Sequence, residues 1–135
     1  MQTKFGPRLT AAIIVLVACT ACSWAASVSQ AIDHIRAGRF PEAIAALEQV
    51  IADTPGDLAA KFWLGRAQLQ DGRLQAAEAT FLAVLDVKPQ STETRYWLAM
   101  LYEKQGRVTE ARRQVEQVLA ASPDHKPTLE LQGRL

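Results

Sequence analysis

Apolar side chains recur along most of this chain at the spacing of one helix face. In residues 74–87 they fall at Ala77, Phe81, Val84 and Leu85, the i, i+4, i+7, i+8 pattern of a 3.6-residue period. A closely similar stretch stands 34 positions earlier and another 34 positions later. Gly38, Gly72 and Gly106 share that offset, as do Arg39, Arg73 and Arg107, then Ala43, Ala77 and Ala111. Val50, Val84 and Val118 keep it too, with Pro55, Pro89 and Pro123 and the large apolar residues Leu47, Phe81 and Val115. Trp63-Leu64 returns as Trp97-Leu98. Self-similarity at a fixed period is the mark of a repeat array.

Each unit reads as two helices. The glycine closes the first, because a left-handed residue costs least without a side chain, and the proline closes the second. The predicted helices cover 27–37 and 41–53, then 57–71 and 74–87, then 91–105 and 108–121. The small Ala43, Ala77 and Ala111 mark a contact between helices too close for a larger side chain. After Pro123, Pro127 suits the first turn of a short helix. Leu129 and Leu131 give that helix little apolar surface, so the last unit is expected to be only partly covered.

The first 26 residues stand outside this pattern. Lys4 and Arg8 precede the apolar core Leu9–Ala18, and no acidic residue occurs before Asp33. A basic start and a short apolar core have the form of a secretory signal, whereas a spanning helix needs about 20 apolar residues. Two cleavage chemistries fit. Leu16-Val17-Ala18-Cys19 resembles the bacterial lipobox, which would make Cys19 a lipidated N-terminus; Ser23-Trp24-Ala25 offers the small-x-small pattern of ordinary signal peptidase. A single uncleaved anchor is the third reading. The lipidated form leads, because the motif falls at the end of the apolar core, and it places the protein on the periplasmic side of the cell envelope.

The repeat resembles the tetratricopeptide repeat, whose pattern is W-x2-L-G-x2-Y…A-x3-F…P. Leu64-Gly65, Ala77-x3-Phe81 and Pro89 match it in the middle unit; Leu98-Ala99-x2-Tyr102, Ala111-x3-Val115 and Pro123 match it in the third. The first unit is irregular in its leading helix, Gln30-Ala31-x2-His34, and the family's leading Trp is displaced, with Lys61 and Arg95 in its place. The resemblance implies an all-α fold of three stacked helix pairs in a right-handed α-solenoid, with units at 27–56, 57–90 and 91–124 and a short C-terminal capping segment at 125–135.

It also implies a concave groove lined by the first helix of each unit. Val28, Ile32, Ile35 and Arg36 would face it from the first unit. Phe62, Trp63, Arg66, Leu69 and Gln70 would follow from the second, and Tyr96, Trp97, Met100, Glu103 and Lys104 from the third. Trp63 and Trp97 are expected as neighbours about 8–10 Å apart, the distance between packed helices. Some relatives grip a partner's terminal carboxylate with a Lys/Asn/Arg clamp. The matching positions here hold Val28, Ile32, Trp63, Glu93 and Trp97, so that clamp is absent.

Charge and chemistry narrow the function. Fifteen Lys plus Arg against 14 Asp plus Glu leave a net charge of +1, too balanced for a nucleic-acid surface. The two cysteines, Cys19 and Cys22, lie together near the start, so cysteine builds neither a disulfide framework nor a zinc site. No phosphate loop or metalloprotease motif occurs, and neither a cofactor nor a metal is expected. His34 takes the place of a packed aromatic, His125 reads as solvated, and serines such as Ser91 read as caps. The expectation is a non-catalytic protein-interaction module that binds a protein or peptide, with a membrane hold through lipid. The alternative is a structural subunit of a homo-oligomer, joined through the poorly capped end.

Overall fold

The structure, a computed structural model, describes residues 27–135; Cys19 and the whole signal-like segment lie outside the described residues. Helix α1 covers 27–36. It is followed by α2 (Phe40–Asp53), α3 (Leu58–Gln70), α4 (Leu74–Val87), α5 (Thr92–Lys104), α6 (Val108–Ala121) and α7 (Lys126–Arg134). No strand occurs among the described residues. From α2 onward each helix packs chiefly on its chain neighbours, and α1 joins α2 through Ala31, Val28 and Ile35, so the pairs α1/α2, α3/α4 and α5/α6 stack into an α-solenoid with α7 on its end.

The turns explain why the boundaries fall within about a residue of the expected ones. Gly38, Gly72 and Gly106 adopt φ of 73°, 83° and 74°, a region that glycine enters without steric cost. In each turn the arginine after the glycine closes the helix. The Arg39, Arg73 and Arg107 amides donate to the His34, Gln68 and Tyr102 carbonyls at 2.8, 2.8 and 2.9 Å. Helix starts repeat as well. Asp57 accepts from the Ala60 amide at 2.9 Å, and Ser91 accepts from the Thr94 amide at 3.3 Å.

The core follows the same period. Ala43, Ala77 and Ala111 are all fully buried, and so, again one period apart, are Leu47, Phe81 and Val115, the last at 1% exposure. Gly65 is buried directly against Phe81: a Cβ placed there would stand 2.6 Å from the ring. The first and third units put Ala31 and Ala99 at that position, with Leu47 and Val115 in place of the phenylalanine. A smaller core residue accompanies each larger one across the pair.

Two expectations need correction. The last unit is covered better than expected: α7 buries Leu131 completely in a cluster with Ala99 and Val115, while Leu129 remains 44% exposed. That burial stabilises the end by about 1.5–3 kcal/mol, and Arg134 clasps Glu103 at 2.8 Å across to α5. His125 is not simply solvated. It is the N-cap residue of α7, with its Nδ1 2.6 Å from the Thr128 hydroxyl and its ring edge-on to Tyr96 at 5.5 Å. Asp57, Ser91 and His125 are spaced by the repeat period, so α7 stands in register as the first helix of a further unit.

Candidate functional site

Two helices, α3 and α5, present the face expected to form the groove, and the repeat period sets Trp63 and Trp97 side by side on them. Both indoles are half-buried. They are not free neighbours, because the guanidinium of Arg66 lies over both rings. Its central carbon is 4.5 Å from the Trp63 centroid and 4.3 Å from that of Trp97, with Phe62 at 6.0 Å. A partly desolvated cation over an indole face is stabilised by about 1–2 kcal/mol. Arg66 therefore joins the second unit to the third on this side.

The rest of the site holds this stack in place. Trp97 donates from Nε1 to the Glu93 carboxylate at 3.1 Å, one helical turn away, which sets the angle of its ring. Burial lowers the Arg66 pKa, and the nearby Glu93 charge partly opposes that shift. Among the described residues nothing accepts a hydrogen bond from Arg66, and its Nε is buried without a partner.

Phe62 and Tyr96 turn more toward the interior than the groove expectation implies. Phe62 packs edge-on to Trp63 at 5.7 Å and reaches the Phe81 ring at 6.4 Å, while Tyr96 lies 5.5 Å from Trp97 and equally far from His125. Leu69, Met100, Glu103 and Lys104 do come together. With Gln70 and Trp97 they line an open cavity of about 340 Å³, in which buried Leu69, Trp97 and Met100 supply the apolar wall. Glu103 is already paired with Arg134, whose Nη2 also lies 3.4 Å from the Met100 sulfur. Lys104 is exposed at the rim. From the first unit, Val28 and Ile35 pack against the core, and Arg36 reaches Asp33 at 3.5 Å.

A second cavity of about 270 Å³ opens on the other side of the stack. Leu58, Phe62, Trp63 and Val84 form its apolar part, and Lys88 and Glu93 stand at its edge. Sequence reasoning did not single out this cleft, because it combines residues from three helices. The Arg66 stack was also missed as a contact, although its three members were each assigned to the groove face.

The other polar cluster is structural. Arg107 donates to Glu78 at 2.8 Å and also pairs with Glu110, and its guanidinium lies 4.3 Å over the Tyr102 ring. The Tyr102 hydroxyl donates to the same Glu78 at 3.2 Å. The hydrogen bond from Arg107 holds the Glu110 carboxyl below its ordinary pKa, and burial followed by the Glu78 charge raises that of Tyr102. This bracket ties α4, α5 and α6 together. No group of three or more potential metal ligands occurs among the described residues, and none of their helices is long and apolar enough to cross a membrane.

Comparison with known proteins gives consistent neighbours. Two family models, both described as tetratricopeptide repeat, match residues 28–92 and 72–135. No curated protein sequence matches the chain. Among solved structures, the Arabidopsis OM64 TPR domain superposes with a TM-score of 0.77 at 14% identity, covering 82% of this chain and 92% of that one. YrrB, described as a TPR protein with an unusual peptide-binding site, gives 0.75 at 19% identity over 79% of this chain. The chain spans about half of YrrB's length, 55%. The second TPR domain of human RPAP3, solved with an HSP70 peptide, gives 0.74 at 16% identity, covering 80% of this chain and 90% of that one.

Proposed function

Since the chain belongs to the tetratricopeptide-repeat family, we propose that it is a non-catalytic interaction module whose groove between α3 and α5 binds a segment of a partner protein. The observation that carries this reading is the open cavity beside Trp97, where the half-buried indole and Met100 keep apolar surface open to solvent next to buried Leu69. Apolar and aromatic surface of this kind gives affinity when a partner side chain fills it and excludes water. Neighbours of the same fold, YrrB and RPAP3, are described with a peptide-binding site or a bound peptide, which supports the same use here. The motif ending at Cys19 supports a location on the periplasmic face of a bacterial envelope, with the module held there by lipid and acting as an adaptor or assembly factor.

The test is capture of a partner from envelope extract by the full chain and by its Trp97→Ala variant. The expected result is one reproducible partner retained by the wild type and lost by a variant that keeps its helical circular dichroism. Equal capture by both proteins would refute a groove-based role.

A further inference from the structure

The Arg66 guanidinium is held in an unusual state for a groove cation. Aromatic faces cover it on two sides, burial has removed part of its water, and no carboxylate or carbonyl of the described chain accepts from it. The other charges nearby are engaged. Glu93, whose charge reaches Arg66, accepts its hydrogen bond from Trp97 rather than from the guanidinium, and Glu103 is paired with Arg134. Lys104 remains exposed at the rim and adds positive charge. Stacking between indoles leaves a guanidinium only its in-plane edge for hydrogen bonding; Nε is buried, so the Nη1/Nη2 end is the part that can meet a carboxylate in fork geometry.

The two cavities flank this stack, and each shares one of its indoles. One has Trp97 in its wall together with Leu69 and Met100; the other has Trp63 together with Leu58, Phe62 and Val84. A ligand that ended at Arg66 would leave one of them unfilled. An extended chain passing over the stack fills both, because alternate side chains on one face of a strand lie about 7 Å apart.

We propose that the groove reads an internal acidic residue of an extended partner segment, in the pattern apolar–x–Asp/Glu–x–apolar. The side-chain carboxylate docks on the Arg66 edge, and the flanking apolar side chains enter the cavities beside Trp63 and Trp97. This rests on the peptide-binding reading above and adds the chemistry of the ligand. It differs from capture of a chain terminus, for which the clamp positions hold Val28, Ile32, Trp63, Glu93 and Trp97.

The experiment screens the immobilised full chain against a synthetic random decapeptide library with free C-termini. Selected peptides are then resynthesised with the acidic residue changed to its amide, or with an amidated C-terminus. The expected result is enrichment of the stated pattern. Glu→Gln or Asp→Asn in the peptide should weaken binding about tenfold or more, as for loss of a charged hydrogen bond, whereas terminal amidation should change it little. Arg66→Gln should abolish the preference for the acidic over the amide peptide. The peptide-side comparison decides the matter even where that variant folds poorly. Peptides that need Trp97 but show no acidic preference, or that lose affinity only on terminal amidation, would overturn this inference and leave the groove reading intact. Failure to select any peptide that depends on Trp97 would overturn both.

Discussion

Replacing Gly65 by alanine tests whether the size pairing across each helix pair holds the stack together. On an exposed helix this change stabilises by about 0.5–1 kcal/mol, because glycine gives up more backbone freedom on folding. Here the new methyl would stand 2.6 Å and 2.8 Å from two carbons of the Phe81 ring, which is itself fully buried. Forcing a methyl into a packed core costs about 1–3 kcal/mol. The contact wins, and the net expectation is destabilisation by about 0.5–2 kcal/mol, with about 4 °C of Tm for each kcal/mol in a domain of this size. The first unit shows the remedy, since fully buried Ala31 goes with Leu47. Phe81→Leu alone should destabilise by leaving a void against Gly65. Combined with Gly65→Ala it should cost less than the sum of the two, by about 0.5 kcal/mol or more. Urea denaturation followed by circular dichroism on the two single variants and the double variant measures this directly. A Gly65→Ala variant that is more stable than wild type, or strictly additive free energies, would refute the reasoning.

Trp97→Ala should weaken partner binding by about 2 kcal/mol or more. Its stability loss should stay below the roughly 3–5 kcal/mol of a fully buried tryptophan, and calorimetry and thermal melts on the same sample separate the two effects. Leu131→Ala should destabilise by about 2–5 kcal/mol, read as faster amide exchange in α7 and the adjoining face of α6. Because the folded state lowers the Glu110 pKa, its contribution is complete above the ordinary carboxylate value of 4.5 and fades as pH falls through the lower folded value. Glu110→Gln should therefore reduce stability at neutral pH and flatten the acid limb of a stability profile measured by urea titration. Intact-mass analysis of protein purified from membranes should find Cys19 as an acylated N-terminus; a soluble species starting near Ala26 without lipid mass would exclude the anchor.

The helices and their ends were legible because a few positions carry most of the instruction. Gly38, Gly72 and Gly106 need the left-handed backbone, and the alanines one period apart need close approach. Both requirements show in one-dimensional spacing. The site was less legible. Arg66 was placed on the groove face, but its insertion between Trp63 and Trp97 depends on three rotamers meeting across two helices, which no periodicity encodes. The cleft beside Trp63 escaped notice for the same reason, since Leu58, Val84 and Glu93 come from separate helices. One further signal was present in the chain and passed over. His125 follows Ser91 by one full period, and that register marks it for the helix start.

Contact confined to each helix's chain neighbours and to the next helix but one has a consequence for how the molecule assembles and comes apart. No distant segments must find one another before a favourable contact forms, so little loop-closure entropy opposes nucleation, and folding is expected to be fast for a chain of this length. Order then spreads outward from any stable pair as in a one-dimensional polymer, with each added helix stabilised by the one before it. The middle pair, bracketed by Arg66 on one side and Arg107 on the other, is linked to its neighbour at both surfaces. Unfolding is accordingly expected to begin at the termini and to reach α3, α4 and α5 last.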